Sequence, residues 1–194
     1  MNFAELYAEV VGITKRPDLE ARTRSALRQA VMFAHRSNNF WRDLVDGMEV
    51  TITAAEGILL LEDNFPRLRA LASVAIYPNG LAGAGVELDE TSVDCLLDEY
   101  GQRRKYWYYG TSTGIRYNAY GADKLVIAYY NDPDVNELTF DSWIANKYPD
   151  VIIRWASSLI FKSIGNNDEA GQELQIAQAL LQQLTTGDFN IKGI

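Results

Sequence analysis

Side chains that could carry catalysis or hold a metal ion are few in this sequence. His35 is the single histidine and Cys95 is the single cysteine. A general base or a metal ligand needs partners, and sequence spacing places none beside either residue. Cys95 falls in a predicted apolar helical stripe, which indicates a buried structural thiol rather than a nucleophile. The sequence therefore predicts no catalytic residue, no cofactor and no metal site.

Two segments have the composition of binding loops without the required order. Residues 89–99 carry five acidic side chains but lack the Asp-x-Asp-x-Asp-Gly pattern of a calcium loop, so a solvated helix face is the simpler interpretation. Residues 79–85 contain three glycines but match no phosphate-binding motif. Carboxylates distant in sequence could still converge, and an enzyme with an acidic site remains a second hypothesis.

The segment 103–109 places basic residues directly before aromatic ones. Such a segment can stack the bases of single-stranded nucleic acid. It can also pack on a neighbouring subunit, where Arg, Tyr and Trp concentrate, or form the core of a sheet. We predict a subunit interface at Arg103, Tyr106, Trp107, Tyr108 and Tyr109.

The elements that must position these residues follow from the hydrophobic periodicity. Helical spacing predicts two helices before Gly47, the second with Asn38-Asn39 at its end, and two after residue 148. Alternating or β-rich runs predict strands between them, including 68–77, 106–109, 115–120 and 125–130. Gly165 and Gly187 are predicted to end the last two helices.

This order predicts an α+β fold, in which N- and C-terminal helices form a bundle around an inserted antiparallel β-rich subdomain. The predicted bundle comprises residues 1–46 and 138–187, the insertion comprises 47–137, and a C-terminal arm comprises 188–194. The arm alternates apolar and polar residues, so it could add as a strand to another chain or fill a groove, or it could fray.

The charge of the chain is −8 and most of it lies in the middle, where residues 47–140 hold fourteen acidic against seven basic side chains. A surface that grips duplex DNA would be basic, whereas an acidic surface lets DNA pass without sticking. No apolar run reaches the ~20 residues of a membrane span, and the first residues lack a signal-peptide pattern. We expect synthesis in the cytoplasm and no membrane association.

The segment 141–150 reads as a helix start, a break and a restart. Asp141 is predicted to cap the first turn, and Pro149 fits the first turn of the next helix. With the preceding strand, which ends in Tyr129-Tyr130, and an Asp-Pro turn, this segment resembles the head-to-tail adaptor (connector) proteins of tailed bacteriophages. The likeness is most specific over residues 124–164 and is only architectural over residues 1–46.

The resemblance implies a virion structural protein of the neck that is assembled in the host cytoplasm and catalyses no reaction. It implies a ring of this chain, of twelve copies, between the portal protein and a tail or nozzle protein, with DNA passing through the lumen. It also implies that the arm docks on the portal, through Phe189, Ile191 and Ile194. The open alternatives are a tail-tube completion protein and a single-stranded nucleic-acid-binding module.

Overall fold

The computed structural model describes residues 1–77, 85–92, 106–111, 113–119 and 124–192, without the side chains of Glu62, Tyr106 and 188–192. The predicted α+β class is confirmed. The helices are Phe3–Thr14 (α1), Glu20–Arg36 (α2), Leu61–Asn64 (α3), Trp143–Lys147 (α4), Pro149–Ser163 (α5) and Asn167–Lys192 (α6), with 3₁₀ turns at Pro17–Leu19 and Trp41–Asp43. The strands are Leu44–Thr51 (β1), Glu56–Leu60 (β2), Leu68–Tyr77 (β3), Val86–Glu87 (β4), Asp89–Glu90 (β5), Tyr106–Gly110 (β6), Gly114–Ala119 (β7) and Lys124–Asn131 (β8).

The chain divides into two compact units, a helical unit of Met1–Asp43 with Asp132–Ile194 and a β unit of Leu44–Asn131. The insertion therefore begins and ends earlier than the predicted 47–137. It begins earlier because the turn Trp41–Asp43 leads directly into β1. It ends earlier because the segment after Asn131 is fastened to α2, where Glu137 pairs with Arg24 and Arg28.

The helical unit is organised around α5, which contacts α1, α2, α4 and α6. Its core contains Leu6 and Val10 of α1 together with Ile152 and Ile160 of α5, all at most 2% exposed. The apolar stripe of α2 is buried from Thr23 to Ala34. Because each helix buries one apolar stripe in this shared core, tertiary packing rather than intrinsic propensity holds the helices in place.

Helix ends follow the predicted glycines only in part. Gly165 has a φ of 79°, and α5 stops before it as expected. The expected end at Gly187 is wrong, because this glycine lies inside α6. Gly187 has no left-handed backbone conformation that would reverse the chain, so α6 continues to Lys192.

The β unit contains two four-stranded sheets, with strand orders β1-β8-β3-β4 and β2-β7-β6-β5. The pairs are antiparallel except for β5 with β6, which are parallel. One apolar cluster draws residues from both sheets, including Ile76, Ile115 and Ile127. Two of the acidic residues assigned to a helix, Asp89 and Glu90, instead form β5, while residues 93–100 lie outside the described part.

Candidate functional site: a buried polar network and an aromatic groove

The segment 141–150 forms the helix start, break and restart that its sequence predicts. The cap itself is Ser142, whose side chain accepts the Ala145 N–H at 3.1 Å. The assignment of this role to Asp141 is wrong, because α4 begins at Trp143 and Ser142 occupies the position before it. Pro149 opens α5 as predicted, since its missing N–H is not needed in a first turn.

The Ser142 cap belongs to a polar network that is buried in the helical unit. His35 Nδ1 lies 2.9 Å from Asp43 Oδ1, and His35 Nε2 lies 2.9 Å from Ser142 Oγ. The indole N–H of Trp143 donates to the same Asp43 oxygen at 2.7 Å. The network thus fastens the end of α2, the turn before β1 and the start of α4 to one another.

The order of hydrogen bonds from Ser142 through His35 to Asp43 is that of a serine-hydrolase triad. The network differs from a catalytic triad in its burial, because Ser142 is 2% exposed and His35 is 1% exposed. The serine oxygen also accepts the cap hydrogen bond of α4, which uses one of its two lone pairs. This geometry favours a scaffold role in which each buried polar group has a partner.

Sequence reasoning missed this network because its members are far apart in the chain. Ser142 lies 107 residues after His35. One signal was present: His35 follows Val31 by four residues and so lies on the buried stripe of α2. A histidine on such a stripe requires partners, although the sequence does not name them.

An open groove of about 270 Å³ lies beside the network, with Trp143 belonging to both. Its lining includes Trp41, Arg42, Trp143, Lys147, Tyr148 and Leu184. We call this feature the aromatic groove. The Arg42 guanidinium lies 5.0 Å from the Trp41 ring centre and 5.2 Å from that of Trp143. Cation–π contacts of this kind hold the two rings and the charge together.

The aromatic groove is open to solvent and carries positive charge. Trp41 is 41% exposed and Tyr148 is 48% exposed. Within the described part of the chain, neither Arg42 nor Lys147 has an ion-pair partner, while Asp150 adds one negative charge to the lining. The volume is slightly below the ~300–1,000 Å³ of small-molecule pockets, which suits a side chain or a short peptide.

The predicted interface at β6 is wrong for three of its five residues. Trp107, Tyr108 and Tyr109 are only 5%, 7% and 8% exposed. Tyr108 is buried because its face of β6 belongs to the apolar cluster of the β unit, while Trp107 and Tyr109 stack on each other on the opposite face, with ring centres 5.9 Å apart. Burial also raises the pKa of Tyr108, with a smaller contribution from Glu90 and then Glu87. Rings buried in this way are core residues, and they offer no face to a subunit or a nucleobase.

Other predicted site residues fall at the edges of the described chain. The backbone of Tyr106 is in β6, whereas Arg103, Cys95 and most of the glycine segment 79–85 lie outside the described residues. Phe189 and Ile191 are in the last turns of α6, and Ile194 lies outside. Of the alternatives for the arm, addition as a strand is contradicted up to Lys192, because this backbone is helical and has no period-two register.

Comparison with known proteins adds no assignment: no protein-family model matches this chain, and no curated protein is significantly similar to it.

Among the described residues, no group of three or more His, Cys, Asp or Glu is arranged to hold a metal ion. In the same part of the chain, no helix is long and apolar enough to cross a bilayer. The molecule is thus defined by its class, an α+β protein with a helical unit and an inserted β unit.

Proposed function

We propose that this protein is a virion structural protein, a head-to-tail adaptor that forms a ring between the portal and the tail of a bacteriophage. The observation that carries the proposal is the segment 141–150. The part of the sequence with the most specific resemblance to these adaptors is also the part that builds the buried network and the aromatic groove. A helical unit formed from both chain ends agrees with the architecture that the resemblance implies.

The proposed mechanism is assembly rather than catalysis. The network fixes the start of α4, and this fixes the exposed rings Trp41 and Tyr148 on the helical unit. A closed ring needs two different complementary patches on each subunit, and preformed rigid patches bind with a smaller loss of entropy. The portal and a tail or nozzle protein would contact the ring, and DNA would pass through a lumen that does not bind it specifically.

Mass measurement of the purified protein, alone and mixed with the portal protein of the same phage, tests this proposal. An adaptor converts from a small species into one large complex of defined stoichiometry, with twelve copies expected from the resemblance. A mixture that contains only the separate proteins over the accessible concentration range would remove the adaptor role. Deletion of residues 188–194 then tests whether the end of α6 contributes, since unchanged portal attachment would exclude it.

Serine-hydrolase activity is the second candidate, and the hydrogen-bond order Ser142–His35–Asp43 is the one observation that favours it. A phosphonate probe that modifies nucleophilic serines separates the two functions. The scaffold role predicts no adduct in the intact mass of the native protein, because Ser142 is 2% exposed. An adduct that maps to Ser142 and disappears in Ser142→Ala would instead establish a hydrolase.

A further inference from the structure

Leu138 is the most exposed large apolar residue of the described chain, at 94%. It lies in the segment 134–141, which connects the end of the β unit to α4. A single exposed leucine needs no explanation by itself. This one is unusual because the loop around it is held rigidly in place by hydrogen bonds and an anchored ring.

Hydrogen bonds from three side chains shape this loop, which we call the Leu138 knuckle. Asp134 accepts the Asn136 N–H at 2.9 Å and the Thr139 hydroxyl at 2.8 Å, and Asn136 in turn accepts the Leu138 N–H at 3.1 Å. The Asp141 N–H closes the loop on the Asp134 carbonyl at 3.0 Å. The backbone of Leu138 is therefore ordered before any partner arrives, which lowers the entropic cost of binding.

The knuckle is also fastened to the helical unit from both sides of Leu138. Glu137 accepts hydrogen bonds from Arg24 and Arg28 of α2. Phe140 packs edge-on against Phe3, with ring centres 5.6 Å apart. These anchors turn the neighbours of Leu138 inward and leave the leucine itself in solvent.

We infer that the Leu138 knuckle of one copy docks in the aromatic groove of the next copy, with Leu138 against the exposed rings. Its own groove does not take it, because Leu138 remains 94% exposed. Charge favours the same pairing: the Asp141 carboxylate is exposed and has no ion-pair partner within the described residues, and the groove holds the unpaired cations Arg42 and Lys147. Oppositely charged rims orient partners and suppress other registers.

A knuckle and a groove are different surfaces, so two copies can exchange them reciprocally in a twofold dimer, or each copy can bind the next in head-to-tail order. The proposed ring requires the head-to-tail order, in which every added copy leaves one groove and one knuckle open until the ring closes. The inference thus rests on the proposed ring and names the surfaces that build it. It places the subunit contact in the helical unit and not at β6.

Two variants, Leu138→Asp and Ile176→Asp, test the inference through their subunit association. Both changes put a carboxylate at an exposed apolar position, and Ile176, at 44% exposure, lies outside the groove lining. We expect Leu138→Asp to weaken subunit association at least about tenfold, because one leucine side chain is no longer buried in the contact. Ile176→Asp should leave the association constant within about twofold of the native value. Native mass spectra, recorded over a concentration series with and without the portal, give the populations.

Cysteine trapping supplies the geometry in a Cys95→Ser background. Chains with Leu138→Cys and chains with Tyr148→Cys, differing in mass by a tag, are mixed and oxidised. The inference predicts a disulfide between residues 138 and 148 of different chains, which peptide mapping identifies. If rings form in Leu138→Asp as in the native protein and no 138–148 link appears, the knuckle contact is wrong although the ring proposal stands. If the native protein never forms a ring, even with the portal, both proposals fail.

Discussion

The two aromatic clusters of this protein have similar composition and opposite surroundings. The segment 106–109 is Tyr-Trp-Tyr-Tyr, and its described rings are at most 8% exposed inside the β unit. The cluster at the aromatic groove is assembled from separate elements, and there Trp41 and Tyr148 are more than 40% exposed. Aromatic composition next to basic residues therefore does not identify an interface.

The difference arises from what lies on each side of the backbone. A strand inside a sheet points alternate side chains to both faces, and here both faces of β6 are covered. A short 3₁₀ turn and a broken helix have one side toward the core and one toward solvent. Trp143 shows both conditions in one residue, because its indole N–H reaches the buried Asp43 while its ring lines the groove.

Replacing one tryptophan from each cluster gives the largest expected contrast. Trp107→Ala should lower the free energy of unfolding by about 3–5 kcal/mol, because it empties a core position that is 5% exposed. Trp41→Ala should lower it by less than about 1 kcal/mol, mainly the loss of the Arg42 contact. Urea denaturation followed by far-UV circular dichroism measures both values. Similar losses for the two variants would show that the clusters do not differ in burial.

The buried network supplies the second contrast, between Asp43 and a nearby exposed acid. Asp43→Ala leaves His35 Nδ1 and the Trp143 indole N–H without their acceptor, and we expect a loss of about 2–4 kcal/mol. Asp46→Ala, three residues away and exposed, should change stability by no more than about 0.5 kcal/mol. Thermal unfolding of both variants at neutral pH measures the difference. Equal midpoints would mean that the network adds nothing to stability.

Local patterns in the sequence were sufficient to predict much of the fold. The strand predicted at residues 68–77 has those bounds in the structure, and the buried stripe of α2 follows its helical spacing. Gly165 ends α5 because a left-handed residue closes a helix wherever it occurs. These features depend on residues within a few positions of one another, so one sequence contains the information they need.

The candidate site could not be predicted in this way, because its parts meet only in the tertiary fold. One partner of His35 is Asp43, in the turn before β1, and the other is Ser142, the cap of α4 more than 100 residues later. The prediction at β6 failed for the same reason: composition shows that a ring is present but not whether the tertiary fold buries it. At Gly187 the local signal for a helix end is not followed. The helix α6 continues through this residue despite the ~1 kcal/mol cost of glycine relative to alanine.

Within the β unit, two glycines of paired strands should respond differently to alanine. A Cβ on Gly114 would lie 2.5 Å from the Leu59 carbonyl oxygen, whereas a Cβ on Gly110 would have no atom of the described chain within 4 Å. We expect Gly114→Ala to cost about 1–3 kcal/mol, because β2 and β7 must separate to admit it. Gly110→Ala should be near neutral. Urea midpoints of the two variants check this, and a neutral Gly114→Ala would show that the strand pair yields without cost.

The smallest expected effect is a gain, and it comes from a polar group in the helical core that the network does not include. Ser157 of α5 is 0% exposed, and its Oγ has no hydrogen-bond partner among the described residues, whereas the Oγ of neighbouring Ser158 donates to the Trp155 carbonyl at 2.7 Å. Ser157→Ala removes an unpaired buried hydroxyl and improves helix propensity, so stability should rise by about 0.5–1 kcal/mol. Ser158→Ala gains the same propensity but loses a hydrogen bond, and we expect a smaller gain or none. If Ser158→Ala unfolds at a higher temperature than Ser157→Ala, the unpaired buried hydroxyl of Ser157 does not lower the stability of the native protein.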